Sequence, residues 1–291
     1  MISSFFRWCY YKVFRWCYEA PLLVFAFPGV ILLRTLRPWL IIRLGQIDPQ
    51  RIGHFNAIEI YLSEQDKKLH PSKTLDIFYA IHNYKVGILF LKDVCNLQLF
   101  LMWKKLVYIF PWGKYVYFVD KINEQLPGFE DHVIAVQNHP EYHLEESNSY
   151  GFKSQYCAWA PVFKASLLLS TLPHLHFNDQ EKEIGKNVLS QMGLPQSASF
   201  VCFHSRDSAY LNALDLQRDW SYHNYRDSDI QNYVLAAEAL VDQGYYVIRM
   251  GVKTLQSILS DHTKVIDYSN NGMCNDFMDI YLSYRCDFVI S

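Results

Sequence analysis

Phe200-Val-Cys-Phe-His-Ser-Arg-Asp-Ser-Ala-Tyr-Leu211 runs from four apolar residues straight into His204, Arg206 and Asp207. An apolar run that stops abruptly at charged groups reads as a buried strand delivering those groups to its C-terminal tip, which is where open α/β sheets bind ligands. An arginine at that tip suits a phosphate oxygen, because its guanidinium offers a rigid fork of donors and stays charged at any working pH.

The segments around this strand alternate in type. A polar loop leads to a helix over 229–242, whose apolar residues Ile230, Tyr233, Val234, Ala237, Leu240 and Val241 share one face and whose stop is Gly244. Strands at 245–250 and 264–267, a helix at 275–284 and a strand at 287–290 complete the series. Alternating strands and helices imply a mostly parallel sheet. Upstream, Asn178-Asp-Gln-Glu181 has the form of a capping box, and the helix it opens stops at Gly193 before Pro195. The domain boundary is placed there.

Before that boundary, Trp39-Leu-Ile-Ile-Arg-Leu44 reads as a buried strand, followed by a polar loop, Arg51-Ile-Gly-His54 and a helix around 55–64. Thr74-Leu-Asp-Ile-Phe-Tyr79 is a second strand. The aromatic and aliphatic stretch 86–120 has no clean periodicity, and 121–176 is rich in turn residues and scattered histidines; neither resolves into elements. The expected fold is therefore α/β, with two Rossmann-like domains of mostly parallel sheets over 39–193 and 194–291. The chain stops at Ser291, at the tip of an apolar strand, so the second domain is expected to be truncated.

Composition narrows the function. At 291 residues, 51% hydrophobic and 16% aromatic, the chain has material for two cores. A formal net charge of -2 argues against a general affinity for nucleic acid, which needs a basic face. The seven cysteines, Cys9, Cys17, Cys95, Cys157, Cys202, Cys274 and Cys286, are scattered without a Cys-x-x-Cys pair and read as reduced thiols with structural roles.

Residues 1–38 differ from the rest. Phe-Arg-Trp-Cys-Tyr occurs at 6–10 and again at 14–18, an offset that puts aromatics beside Arg7, Lys12 and Arg15 on one helical face. The apolar run from Ala20 to Leu33 follows; it is shorter than the ~20 residues that span a bilayer and is interrupted by Pro28-Gly29. No small-residue cleavage site marks it as a signal peptide. The segment is read as an interfacial, monotopic membrane anchor, with a true span and a helical arm packed on the protein's own core as alternatives.

Five motifs together resemble a family of bacterial glycosyltransferases linked to surface polysaccharide synthesis: Arg51-Ile-Gly-His54, His204-Ser-Arg-Asp-Ser-Ala-Tyr210, Tyr222-His-Asn-Tyr-Arg-Asp227, Arg249-Met-Gly251 and Cys286-Asp-Phe-Val-Ile-Ser291. The resemblance runs from about residue 38 to the end and is densest after 198. It implies a GT-B architecture of two facing domains, with the nucleotide-sugar donor held mainly by the second. The His-x-Arg core is also similar to the donor motif of fucosyltransferases, which implies diphosphate binding by Arg206, with His204 and Asp207 shaping the loop. These relatives continue past the last strand into a Ser/Gly loop that contacts the donor.

On this reading Tyr210, Tyr225 and Arg226 hold base or ribose, Arg249 and Gly251 line the same crevice, and Asp276 contacts donor hydroxyls or serves as a helix charge. Arg206 also stabilises the departing diphosphate. His54 is the candidate base, in competition with Asp48 and Glu59, while Arg51 and Gly53 line the acceptor side. Arg206 has a structural alternative, an ion pair with Asp207 or Asp227. Asp227-Ser-Asp229 matches a metal-binding Asp-x-Asp but stands at a helix start, where such residues cap amides. His139 with His143, and His174 with His176, lack a third legible ligand. No cofactor and no metal is expected.

The expected activity is transfer of a sugar from a nucleotide-sugar donor to a cell-surface polysaccharide or lipid-linked glycan acceptor. It is placed on the cytoplasmic face of the inner membrane, held peripherally through residues 1–38, with no nucleic acid partner. The rivals are a non-catalytic scaffold of polysaccharide assembly and a metal-dependent GT-A-like transferase.

Overall fold

The computed structural model describes residues 20–49, 52–80, 94–134, 165–214 and 219–291. They form two compact α/β units that meet between His176 and Phe177.

The first unit opens with helix α1 (residues 20–36) and continues through β1 (Ile41–Ile47), α2 (Asn56–Asp66), β2 (Thr74–Ala80), α3 (Leu97–Leu106), β3 (Ile109–Phe110), α4 (Gly113–Asn123) and α5 (Ala165–Leu169). Its strands are parallel and ordered β1-β2-β3, with Ile41 opposite Thr74 and Phe78 opposite Ile109. On the free side of β1, Val133 makes a parallel bridge to Leu44, and the Ile134 amide donates to the Leu44 carbonyl at 3.0 Å. The first strand is therefore flanked on both sides. Ala26, Val30 and Leu33 of α1 pack with Val116 and Val119 of α4 against Leu44 and Tyr79. Close approach of the two helices depends on Gly29, where a Cβ would press on the Tyr115 hydroxyl and Val119. Thus one face of α1 belongs to the protein's own core, and among the described residues no helix is long and apolar enough to cross a membrane.

The second unit runs through α6 (Asp179–Gln191), β4 (Phe200–Phe203), α7 (Ala209–Leu214), α8 (Val234–Asp242), β5 (Tyr246–Arg249), β6 (Val265–Asp267), α9 (Asp276–Arg285) and β7 (Val289–Ile290). Its four strands are all parallel in the order β6-β5-β4-β7. Steps from β4 to β5 to β6 go outward along one edge; the chain then returns past both to place β7 on the other side of β4. Right-handed crossovers put α8 and α9 on opposite faces as a result. Val201, Phe203 and Val247 meet Ala237 and Val241 of α8 on one face. On the other, the Cys202 thiol reaches the Leu282 carbonyl of α9 at 3.9 Å.

The sequence reading put the boundary after the capped helix, at 193/194; the structure puts it before. The capping box is formed as expected, with Glu181 N donating to Asn178 Oδ1 at 2.8 Å and Asn178 N to Glu181 Oε2 at 2.9 Å. But α6 lies against α9. The Tyr281 hydroxyl donates to the Lys182 carbonyl at 3.2 Å, and Phe177 stacks edge-on against Phe277, Tyr281 and Tyr284. Gly193 and Pro195 stop a helix; they do not end a domain. The helix read at 229–242 begins as a 3-10 turn, Ile230–Tyr233, before α8.

A Cβ on Gly185 would lie inside normal contact with the Tyr281 ring. Gly185→Ala gains roughly 0.5–1 kcal/mol of helix propensity but overpacks a buried contact at a cost of ~1–3 kcal/mol. The thermal midpoint of the intact chain is expected to fall, with partial recovery when Tyr281→Leu is added. A midpoint that rises would show that α6 is not held against α9.

Candidate functional site

In an open parallel sheet, the crevice for a ligand opens where the strand order reverses, outside the C-terminal ends of the strands. In the second unit that place lies between β4 and β7. The segment leaving β4 there is His204-Ser-Arg206-Asp207, and the His204 amide is anchored to the Ile290 carbonyl at 2.8 Å.

This loop is built from its own polar groups. Ser205 is buried, and its hydroxyl donates to the Ser228 carbonyl at 2.7 Å, while Ser228 N donates to the Arg206 carbonyl at 2.9 Å. Arg206 is half-buried; its Nη1 donates to the His223 carbonyl at 2.8 Å and lies 3.1 Å from Asp227 Oδ1. Asp207 accepts from the Ala209 amide through Oδ1 and from the Leu255 amide through Oδ2, each at 2.9 Å. Asp207 thereby ties the loop after β4 to the loop after β5.

Arg249 ends β5 and is fully buried. Its Nη1 lies 3.4 Å from Oδ1 of Asp267, its register partner on β6, and its Nε is a buried donor without an acceptor. The neighbouring guanidinium has a consequence for His204. Packing around the imidazole, followed by the charge of Arg249, lowers the His204 pKa from its ordinary 6.5; Asp207 opposes the shift and Arg206 adds to it. The shift favours the neutral imidazole, which presents one donor and one acceptor.

Two residues on, Gly251 has φ +145°, where a side chain would be strained and would strike Thr254 and Ser269. The Cys274 thiol, just before α9, reaches the Gly251 carbonyl at 3.6 Å. Asn275 caps α9 by accepting from Met278 N at 3.0 Å, and Asp276 is exposed in its first turn. His204, Arg206, Asp207, Arg249 and Gly251 thus gather at the C-terminal ends of β4 and β5. Tyr210 is half-buried in α7; Tyr225 is 84% exposed and Arg226 exposed in the 3-10 segment whose His223 carbonyl holds Arg206.

In the first unit, His54 lies in the 3-10 turn Ile52–Phe55 before α2, with Nδ1 2.8 Å from Asp48 Oδ2. Gly53 beside it is exposed with open space around it. Glu59 is engaged elsewhere, with Oε1 3.1 Å from His174 Nδ1, whose Nε2 is 3.2 Å from Asp66. Arg51, His139 and His143 lie outside the described residues. Among the described residues no group of three or more His, Cys, Asp or Glu is placed to hold a metal. In Asp227-Ser-Asp229, Asp229 caps the Gln231 amide at 2.9 Å and Asp227 faces Arg206.

Sequence reasoning missed Asp267, Ser205 and the His223 carbonyl. Asp267 becomes visible only with the β5–β6 register, and a carbonyl has no sequence signal.

The electrostatics can be tested directly. Following the imidazole of His204 by NMR, with His204→Asn to assign it, should give a titration midpoint below 6.5 that rises in Arg249→Met. An unchanged midpoint in a folded Arg249→Met chain would show that the buried guanidinium does not act on this imidazole.

No family model, curated protein or solved structure matches this chain.

Proposed function

We propose that the chain is a GT-B-type glycosyltransferase, moving a sugar from a nucleotide-sugar donor to a cell-surface polysaccharide or lipid-linked glycan. The observation that carries the reading is the strand order β6-β5-β4-β7, which puts the Arg206 loop at the reversal point of a parallel sheet. A diphosphate there meets the Arg206 guanidinium, neutral His204 and the exposed Tyr225 and Arg226. Arg206 already serves Asp227 and the His223 carbonyl through Nη1. That orients the fork without consuming its charge-assisted capacity, since a guanidinium has five N–H donors. Cationic side chains take the part that a metal plays in other transferases: they neutralise charge on the departing diphosphate.

His54 is the proposed base. An Asp48 carboxylate on Nδ1 fixes the tautomer that leaves Nε2 as an acceptor for the acceptor-hydroxyl proton. A second reading, a non-catalytic scaffold of polysaccharide assembly, draws on the fact that Arg206 and Asp207 are both engaged within their own loops.

Titration with UDP, GDP, CMP and ADP separates the two. One nucleotide should bind, indifferent to chelator, and Arg206→Ala should weaken it roughly ten- to a hundredfold, the ~1.5–3 kcal/mol of a charged hydrogen bond. His54→Asn should leave that affinity intact and slow transfer ~100-fold or more. A folded chain that binds none of the four nucleotides overturns the donor reading in favour of the scaffold.

The protein is further proposed to lie on the cytoplasmic face of the inner membrane. Support comes from the outward face of α1, where Val24, Phe25, Phe27, Ile31 and Leu32 are exposed and no charged residue occurs between 20 and 33. Preceding it in sequence are Arg7, Lys12 and Arg15, a composition suited to anionic headgroups. Flotation should recover the chain with phosphatidylglycerol vesicles and less with phosphatidylcholine, and Phe27→Asp with Ile31→Asp should cut recovery at least ~10-fold. Equal recovery of the double variant would remove α1 as the contact.

A further inference from the structure

We propose that Cys202 and Cys286 are a reversible dithiol–disulfide pair, which on oxidation joins the central strand β4 to the turn between α9 and β7. The inference is independent of the glycosyl-transfer reading.

Cys202 is buried in the middle of β4, with its thiol directed to the Leu282 carbonyl at 3.9 Å. Cys286 is the C-cap of α9, half-buried, with its thiol directed to the Ser283 carbonyl at 3.4 Å. Those two carbonyls are consecutive in the last turn of α9, so both sulfurs lie against the same turn. The backbone holds them there. Asp287 N donates to the Phe200 carbonyl at 2.9 Å and Cys202 N to the Phe288 carbonyl at 3.1 Å, fastening the chain after Cys286 alongside β4.

The pair is also chemically unequal. Interaction with Cys202 lowers the Cys286 thiol against burial and the Asp287 charge, while interaction with Cys286 and burial raise Cys202. Elsewhere in the unit, burial and Asp279 raise Cys274 to about 11. Cys286 is accordingly the nucleophile, since thiolate attacks and thiol does not. Its sulfur attacks one sulfur of glutathione disulfide, forming a mixed disulfide and releasing one glutathione thiolate. Cys202 then gives up its proton and attacks Cys286 Sγ, releasing the second glutathione. Two protein thiols lose two electrons and two protons; one glutathione disulfide becomes two glutathione thiols.

The test incubates the intact chain with glutathione disulfide, quenches with acid, alkylates under denaturing conditions and maps the peptides. Wild type should lose two alkylatable thiols and yield a Cys202–Cys286 cross-linked peptide that dithiothreitol reverses. Cys202→Ala should instead trap glutathione on Cys286, and Cys286→Ser should leave Cys202 alkylatable. Native alkylation of Cys286 should reach half its maximal rate at a lower pH than that of Cys274. A lasting glutathione adduct on Cys286 in wild type, or both thiols still free after oxidation, overturns the proposal. The wild-type arm needs no variant to fold.

Discussion

The handedness of the β–α–β crossover governs the rest of this chain. In each unit the first strand is followed by neighbours stepping outward on one side, and a later segment returns to its other side: Val133 beside Leu44 in the first, β7 beside β4 in the second. Because right-handed crossovers are nearly obligatory, reversing direction moves the covering helices to opposite faces. In open sheets of this kind, loops on either side of such a reversal diverge above the strand ends. The same order, with the first strand inside, occurs twice and creates two such places, at the ends of β1 and β4. Only the residues delivered there distinguish them.

Burial patterns explain how much of this was legible in the sequence. Strand β4 was readable because four apolar residues stop at a charge, and α6 because a capping box is a local device whose two bonds lie within four residues. Helices α3 and α4 were not. Their apolar residues face the sheet, other helices and, in part, solvent: Leu101 and Leu106 stay exposed beside buried Met102 and Trp103. That blurs the helical period. Helix α1 is apolar all round, so periodicity could not say which face meets the core; Gly29 against Tyr115 decides it. The boundary was misplaced for a related reason, because a helix stop is local and the choice of partner is not. Of the candidate site, the residues at strand ends were readable from apolar-to-charged transitions. Their partners were not, since Arg206 with Asp227 and Arg249 with Asp267 depend on loop closure and register between separate segments.

The two units also spend buried charge at opposite ends of their sheets. In the first, Arg43 pairs through two hydrogen bonds with Asp76, its register partner, near the start of β1 and β2. His70, Tyr61 and buried Glu64 join that cluster. Desolvating such groups is costly unless every partner is present, and here the partners are supplied by the protein itself. In the second, Arg249 faces Asp267 at the C-terminal ends of β5 and β6, with its Nε left without an acceptor.

This asymmetry bears on the proposed division of labour between the units. A buried arginine paired across the starts of two strands, as Arg43 is with Asp76, holds those strands together. One at the C-terminal end, as Arg249 is, also adds positive potential around the loop that leaves β4, where after burial it contributes to lowering the His204 pKa. Among the described residues, the C-terminal end of the second unit's sheet carries Arg206 and Arg249, and that of the first carries the Asp48–His54 pair. A diphosphate requires the former environment and proton abstraction from a hydroxyl the latter. The shared topology alone would not assign donor and acceptor to one unit or the other; the placement of cations and of a carboxylate-oriented imidazole supports the assignment made above.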